Sequence, residues 1–316
     1  MADGSLFKMT APEPQYHVQR AADIVLADAA GAAAEHSSGL TRATLVGRAV
    51  GAVHTGLALA EIAPGGHVGA HLHSTEQSFY VLSGHPTLIC EGQSHRLSPD
   101  ECGLLPVGVT HAYRNAGEEP ARLLEVNSPV PRTSGPADTF WTGDPVPAGA
   151  GEAPDIRDPR TRTFFRLGPG QMDVDNLKIG SAVNAPTVSA SMATALLAYS
   201  GIAVKMLVDA RLGAVLHSLF MVEYQPGGSA LPHDHPLEES YYMLEGEVVA
   251  TANDDEFTLG PGDVFWTGVG CIHSFHHRGS GRVRWLETQS PQLPSNYSYR
   301  FNRDWDYLSE RIGGQA

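Results

Sequence analysis

Cysteine, basic side chains and long apolar runs are all scarce in this sequence of 316 residues. Its three cysteines, Cys90, Cys102 and Cys271, are too few and too scattered for a disulfide framework or a CxxC zinc site. Lys and Arg number 21 against 35 Asp and Glu, and the formal net charge of −14 argues against nucleic acid or an anionic membrane surface as a partner. No apolar run reaches about 18 residues, and the first residues contain no apolar signal segment. We therefore expect a soluble protein of a reducing compartment, most simply the cytoplasm.

Glycine and proline, in contrast, are abundant. The 34 Gly and 22 Pro favour a turn-rich, mostly β protein over a helical bundle. Hydrophobic residues make up 42% of the chain, which is enough for a full core, and the length predicts about two domains.

An internal repeat divides the sequence into two similar halves. Residues 41–129 align with residues 203–291 at a constant offset of 162 without a gap, and 28 of the 89 positions are identical. We call these copies the N-terminal half and the C-terminal half. Because there are only two copies, each long enough for its own core, we predict two domains, over residues 20–150 and 151–316.

Each copy has the pattern of short strands separated by turns. "TGLALAEIAPGG" and "HSLFMVEYQPGG" alternate toward a Pro-Gly turn, and "QSFYVLSG" and "ESYYMLEG" are aromatic, β-branched runs that end at Gly. Such strands predict a small antiparallel barrel or jelly roll. The Pro/Gly-rich segment 131–160 is predicted to link the halves, and residues 189–200 are the best helix candidate.

The C-terminal half contains a candidate metal site. In a strand, side chains two residues apart share a face, so His233, His235 and Glu239 project together. His273 follows a turn-rich stretch, from which a neighbouring strand can bring it back to the same place. Three neutral imidazoles and one carboxylate suit a divalent first-row metal and leave positions for water, substrate or O2.

The N-terminal half repeats this pattern with one change. His71, His73 and His111 take the histidine positions, and Gln77 takes the place of the glutamate. The preceding Glu76 points away, because strand phase puts Gln77 on the histidine face. A site of three His and Gln keeps a charge near +2 instead of +1, so we expect it to hold the metal less tightly and to be the stronger Lewis acid. The alternative is a decayed site in which Gln77 only hydrogen-bonds.

These motifs resemble those of the cupin superfamily. Gly227, His233-x-His235, Glu239 and Gly246 have the spacing of its first motif. The second motif is matched by Gly262-Asp263 and Gly270-x-x-His273, with Gly268 where the family usually has Pro and His277 where it often has Asn. The N-terminal half matches through Gly65, Gly84, Pro106, Gly108 and Asn115, with Asp100 in place of a Gly. The resemblance implies an all-β fold of two tandem cupin (jelly-roll) barrels with a few short helices.

The same resemblance implies several reactions, which the residues do not separate. The chain resembles quercetinase-like bicupin dioxygenases, in which the carboxylate at position 239 would detach and act as a base, so Glu239 is the candidate catalytic residue. It is more distantly similar to ureidoglycine aminohydrolase and to the bicupin isomerase of bacilysin biosynthesis, which suggests a non-redox Mn-dependent hydrolase, isomerase or lyase. A binding bicupin without turnover is the third alternative.

The resemblance also implies a cofactor, a pocket and partners. The cofactor is a divalent transition metal (Fe, Mn, Ni, Cu or Zn), one or two per chain, and the substrate is a small molecule. The barrel mouth of the family suggests Tyr242, Trp266 and Phe275 as pocket residues, with Tyr80 and Tyr113 in the other half. Neither nucleic acid nor a membrane is expected as a partner, and a homodimer is.

Overall fold

The computed structural model describes residues 15–134, 137–155, 163–168, 170–172 and 201–292, and the backbone of 300–301. The predicted helix over 189–200 lies outside these residues. What is described consists almost entirely of strands, with a single five-residue α-helix, α1 (Ala32–His36), and two 3-10 turns, Ala21–Asp23 and Arg48–Val50. Within this part of the chain, no helix has the length and apolarity needed to cross a membrane.

The described residues form 22 strands. They are β1 (Tyr16–Gln19), β2 (Ala27–Asp28), β3 (Ser37–Val46), β4 (Gly56–His73), β5 (Glu76–Ser83), β6 (Thr87–Cys90), β7 (Gln93–Arg96), β8 (Glu101–Leu105), β9 (His111–Arg114), β10 (Ala121–Ser128), β11 (Thr139–Trp141), β12 (Phe164–Arg166), β13 (Ile202–Val208), β14 (Ser218–Tyr224), β15 (Ser229–Asp234), β16 (Glu238–Glu245), β17 (Val248–Ala252), β18 (Asp255–Leu259), β19 (Val264–Thr267), β20 (His273–His276), β21 (Val283–Ser290) and β22 (Arg300–Phe301).

Each half curls its antiparallel strands into a barrel, as predicted. In the C-terminal half, one sheet has the order β1-β19-β16-β21-β14-β13 and the other has the order β18-β17-β20-β15-β22. In the N-terminal half, the long strand β4 continues from one layer into the other, so the corresponding strands form a single sheet of 11 strands, with the path β12-β8-β5-β10-β4-β9-β6-β7. The fold is therefore two tandem cupin barrels.

The alternation of side chains along β4 shows how the two faces of a barrel wall are used. Leu57 and Leu59 point outward into a cluster between the halves. Ala58, Ala60 and Ile62 alternate with them and face the barrel interior. The pattern of period two in the sequence thus separates the barrel core from the contact with the other half.

Three hydrophobic clusters stabilise the molecule. The N-barrel cluster contains Ile62, Val68, Phe79, Val81, Leu88, Leu97, Leu105, Tyr113, Leu123 and Phe164. The C-barrel cluster contains Ile202, Val204, Phe220, Val222, Tyr224, Tyr241, Met243, Phe265, Phe275 and Trp285. The shared cluster takes Leu45, Leu57, Leu59, Leu124 and Val126 from the N-terminal half and Ala203, Leu207, Leu219, Met221 and Leu286 from the C-terminal half.

The two barrels exchange edge strands. β1, which precedes the N-terminal half, pairs with β19 of the C-terminal half, so that Tyr16 lies opposite Thr267. β12, which precedes the C-terminal half, pairs with β8 of the N-terminal half. Each added strand covers the edge of a sheet in the other half. The domain boundaries at 20–150 and 151–316 remain a proposal, and the exchange shows that short segments on either side of them pack against the opposite barrel.

Two buried carboxylates join the halves reciprocally. Glu238 accepts hydrogen bonds from the backbone N–H groups of residues 53–55, at 2.9–3.1 Å. Glu76, its equivalent at the offset of 162, accepts from the N–H groups of residues 215–217, at 2.8–3.2 Å. Glu76 is thus turned away from the histidine face, as strand phase predicts, and both carboxylates are paired in the contact between the halves.

Candidate metal centres

The C-terminal barrel brings His233, His235 and His273 together. Their ligand atoms all lie within 4.8 Å of one another, and all three side chains are buried. β15 carries His233 and β20 carries His273, and these two residues lie directly opposite each other in the sheet. The predicted set therefore assembles from two neighbouring strands and the loop that follows β15.

Backbone carbonyls orient two of these imidazoles. The Nδ1–H of His233 donates to the Leu231 oxygen at 2.5 Å, and the Nδ1–H of His273 donates to the Cys271 oxygen at 3.0 Å. Each bond fixes the tautomer in which Nε2 has the free lone pair, as ligating histidines require. Burial, together with the neighbouring imidazoles, holds the pKa of His233 well below its ordinary value, so this ring is neutral at neutral pH.

Glu239 completes this cluster from β16 and is fully buried. Its Oε1 lies 3.3 Å from Nε2 of His235 and its Oε2 lies 3.2 Å from Nε2 of His273. Tyr241 donates its hydroxyl hydrogen to Oε2 at 2.6 Å, and Gln289 donates from Nε2 to Oε1 at 2.8 Å. Burial alone would raise the pKa of Glu239, but the facing His235 and His273 hold it below the ordinary carboxyl value.

The N-terminal barrel assembles the equivalent cluster of His71, His73 and His111. Their ring centroids are 4.2–5.2 Å apart, and His71 lies opposite His111 across β4 and β9. The Nδ1 atoms of His71 and His111 donate to the carbonyl oxygens of Gly69 and Val109 at 2.7 and 3.0 Å. Burial lowers the pKa of all three histidines, that of His73 to about 3.

Buried polar atoms without hydrogen-bond partners show that this cluster fits a metal. Nε2 of His73, Nε2 of His111 and Oε1 of Gln77 are all buried, and within the described residues none has a partner. Unsatisfied buried acceptors are costly, and a divalent metal would satisfy all of them together. Both histidine clusters could therefore hold a metal ion.

The two clusters differ in how the fourth side chain is held. Gln77 donates from Nε2 to Oδ1 of Asn127 at 3.3 Å, which turns its amide oxygen away from Asn127. At the equivalent positions of the C-terminal half, Gln289 donates to Glu239. The residue that holds the fourth side chain therefore differs as well: Gln289 donates to Glu239 in the C-terminal half, whereas Asn127 accepts from Gln77 in the N-terminal half. The predicted roles of Glu239 and Gln77 as ligands remain proposals.

Two of the five predicted pocket residues lie beside the histidines. Phe275 packs with its ring centroid 5.9 Å from that of His273, and Tyr113 lies 6.0 Å from His111 in the same edge-on orientation. Both residues stand two positions after the histidine on the same strand and so share its face, and their part in a substrate pocket stays a prediction.

The other three predicted pocket residues occupy a different place. Trp266 and Tyr80 belong to the shared cluster between the halves, and Tyr242 packs against it. Tyr242 is one residue out of phase with Tyr241, so its side chain leaves the opposite face of β16. The structure thus places these three residues in the contact between the halves, and their part in a substrate pocket stays a prediction.

Several residues of the sites were missed from the sequence. Tyr241 and Gln289 hold Glu239, and Asn127 holds Gln77. Trp141 of β11 lies opposite His71 and tilts against its ring at a centroid distance of 4.9 Å. Tyr241 was in phase with Glu239 and so could have been found, whereas β11 follows the repeat and no sequence pattern connected it to the site.

Comparison with known proteins agrees with this geometry. The model of the family described as "Cupin domain" matches residues 58–127 and 220–288. The tetracenomycin polyketide synthase protein TcmJ of Streptomyces glaucescens is 33% identical over 147 residues, which are 46% of this chain and 95% of that protein.

Solved bicupin structures share the fold at low identity. Salicylate 1,2-dioxygenase from Pseudaminobacter salicylatoxidans is 14% identical and superposes with a TM-score of 0.63 over 91% of this chain and 88% of its own. Oxalate decarboxylase from Bacillus subtilis is 15% identical, with a TM-score of 0.58 over 96% of this chain and 84% of its own. The chain therefore belongs to the cupin family, with one cupin domain in each half.

Proposed function

We propose that this chain is a metal-dependent enzyme of the dioxygenase class that acts on a small organic substrate at the C-terminal histidine–glutamate cluster. The observation that carries the proposal is the environment of Glu239, a fully buried carboxylate that faces the imidazoles of His235 and His273 and is held by two hydrogen bonds. A bound transition metal would supply Lewis acidity and open positions for a substrate oxygen and O2.

The residues around the cluster support proton transfer by Glu239. When its oxygens turn from the metal position, Oε2 can accept a proton from a substrate hydroxyl or an acidic carbon. Tyr241 keeps that oxygen oriented through its hydroxyl hydrogen, and Gln289 keeps the other oxygen in place. Phe275 and Tyr241 exclude water from the interior side of His273.

The substrate class follows from the chemistry of the cluster and from the family members. A divalent metal held by these three histidines would act as a Lewis acid toward the oxygens of enolates and catechol-like molecules. TcmJ, by its name, belongs to polyketide synthesis, and polyketides are rich in such oxygens. We therefore propose an enolisable or aromatic oxygen-bearing molecule as the substrate.

The test is metal content together with oxygen consumption. Purified wild-type protein is analysed by mass spectrometry for Fe, Mn, Ni, Cu and Zn, and O2 uptake is measured with flavonols, β-dicarbonyls and catechols. We expect a redox-active metal and an O2 uptake that His235→Ala and Glu239→Gln abolish. Metal binding without O2 uptake on any of these compounds would contradict the oxygenase proposal.

A second candidate function is non-redox chemistry at the N-terminal cluster, as a hydrolase, isomerase or lyase. It is favoured by the neutral ligand set with Gln77, which leaves the full charge of the metal to polarise a carbonyl. Bound manganese, no O2 uptake, and an activity that is lost in His73→Ala but kept in His235→Ala would support this candidate. Metal without any turnover would favour a binding bicupin.

A further inference from the structure

The inner face of the N-terminal barrel has an arginine that its counterpart lacks. Arg42 lies on β3 opposite Ala60 of β4, and it shares its face with Leu40, which packs against the N-barrel cluster. Its Nε and Nη2 both contact Oε2 of Glu125, at 2.9 and 2.8 Å. Within the described residues, Nη1 has no hydrogen-bond partner, and the side chain is 40% exposed. The guanidinium therefore has donors left for a ligand.

The Arg42–Glu125 pair lies next to the histidine cluster. Glu125 is two residues before Asn127 on β10, so both face the barrel interior, one layer or about 7 Å apart. Asn127 in turn holds Gln77.

The equivalent positions of the C-terminal barrel keep the carboxylate but lack the cation, since Glu287 replaces Glu125 and accepts from Nε1 of Trp285 at 3.0 Å. Val204 replaces Arg42 and is buried. The small residue Ala58 becomes Phe220, and Leu123 becomes Trp285. Phe220 and Trp285 both belong to the C-barrel cluster, so their rings fill the interior of that half. The same place in the N-terminal half has no rings at these positions and is reached by solvent at Arg42.

A second polar group points into the same interior. The hydroxyl of Tyr113 is buried and has no hydrogen-bond partner within the described part of the chain. A tyrosine hydroxyl can donate one hydrogen bond to a ligand there. In the C-terminal half this residue is Phe275, which has no hydroxyl.

We propose that the N-terminal barrel binds a ring-bearing small carboxylate, with Arg42 as the residue that recognises its charge. Nη1 and the second Nη2 hydrogen of Arg42 donate to the carboxylate, and the ring occupies the space beside Ala58 that Phe220 fills in the other half. Tyr113 is the further donor on the ligand's route to the histidines. The net charge near +2 of a loaded cluster with Gln77 favours the anion further. This proposal deepens the second candidate function by naming a ligand class for the N-terminal barrel. It rests on that function only in one respect, which is that the N-terminal barrel binds a ligand.

Binding measured without turnover tests the proposal. The probe is benzoate, with benzamide as its uncharged isostere, titrated by calorimetry into zinc-loaded protein. We expect the wild type to bind benzoate at least about tenfold more tightly than benzamide, since charge-assisted hydrogen bonds are about twice as strong as neutral ones. Arg42→Val, which copies the C-terminal half, should lose this preference, and Arg42→Lys should keep part of it.

Arg122→Ala is the matched control. Arg122 pairs with Glu61 at 2.6 Å, also on the barrel wall, but its side chain is 52% exposed on the outside. Arg122→Ala and His235→Ala should both leave the benzoate affinity unchanged. His73→Ala should weaken benzoate binding. Equal affinity in Arg42→Val and wild type, loss of binding in His235→Ala, or no benzoate binding at millimolar concentrations would each overturn the proposal. None of these results depends on O2 uptake, so the dioxygenase proposal is decided separately.

Discussion

One atom separates the fourth side chains of the two clusters, an amide nitrogen in Gln77 against a carboxylate oxygen in Glu239. The exchange removes one negative charge from a site whose other groups are imidazoles. Coulombic attraction to a divalent ion is large in a buried site, so this single change should dominate the difference in metal retention.

We predict that Gln77→Glu makes the N-terminal cluster retain metal as well as the C-terminal one. After dialysis against a weak chelator, the wild type should hold about one metal per chain, whereas the variant should hold about two. Metal per chain is measured by mass spectrometry. Glu239→Gln is the converse change and should lower the retained metal. An unchanged stoichiometry in both variants would mean that residues 77 and 239 do not act as ligands.

Strand phase predicted the residues of the sites better than residue type did. The rule predicted that each set of three histidines meets, as His71, His73 and His111 do, and it turned Glu76 away from them. Tyr242 is predicted as a pocket residue from the barrel mouth of the family, although the same rule selects its neighbour Tyr241. Supporting residues such as Gln289 are 50 positions from the side chain they hold, and no local pattern reveals that contact.

At the scale of elements, the exchanged strands give each barrel a closed edge. β1 is tied down by more than its ladder to β19, since Arg20 donates to Asp263 at 2.8 Å and the Ala21 N–H donates to the same carboxylate. In the N-terminal half, β12 covers the edge of β8 in the same way.

We predict that deletion of residues 2–19 loosens only the C-terminal barrel. Without β1, the N–H and C=O groups of β19 that face it lose their partners, so amide exchange over Val264–Thr267 should accelerate. The built-in control is Glu101–Leu105, the equivalent strand β8, which keeps its cover and should exchange at the wild-type rate. Hydrogen exchange with mass spectrometry distinguishes the two segments, and equal acceleration in both would contradict the assigned pairing.

The reciprocal carboxylates predict a pH-dependent link between the halves. Burial acts to raise the pKa of Glu76, but the contact with His217 and the N–H groups of 215 and 216 outweigh burial and hold the pKa below its ordinary value. A depressed pKa means that the carboxylate stabilises the fold above the unfolded-state pKa and loses this effect as the pH falls through the folded-state pKa.

Glu76→Gln should therefore cost about 1–3 kcal/mol of the free energy of unfolding at neutral pH, because several N–H groups lose a charged acceptor. The difference from the wild type should shrink on acidification. Urea unfolding at a series of pH values measures it. Glu61→Gln, which changes a partly exposed pair with Arg122, should cost less than about 1 kcal/mol. A penalty for Glu76→Gln that is the same at every pH would show that the charge is not responsible.

The repeat and the turn pattern were sufficient to predict the barrel strands, because each strand is specified by its own alternation. The exchanged strands were not predicted. β1 and β12 have four and three residues, and β1 finds its partner about 250 positions later in the chain. Such short segments become strands only because a sheet edge is there to receive them.

For the whole molecule, the shared cluster makes the halves dependent on each other. Leucines from both copies bury one another there, and Leu207 is only 1% exposed. If either barrel stood alone, these leucines would be exposed to water and the stabilisation from their burial would be lost.

We accordingly predict a single cooperative unfolding transition for the chain in calorimetry. Leu207→Ala should lower the stability of both halves together, by about 2–5 kcal/mol, since it opens a cavity at their contact. Val25→Ala, at a side chain that is 78% exposed, is the control and should have little effect. Two resolved transitions, with only the second shifted by Leu207→Ala, would show that the barrels fold independently.

At the centre of the contact between the halves, Ser128 and Ser290 hydrogen-bond to each other at 2.6 Å, each the copy of the other at the offset of 162. A residue that meets its own copy marks a two-fold axis, and an axis of this kind is what an isologous dimer interface becomes when its subunits are fused into one polypeptide. The face through which a one-barrel ancestor would have paired is therefore buried in this chain, in the contact between the two halves. A homodimer of this chain, which remains a proposal, would therefore have to pair through some other surface.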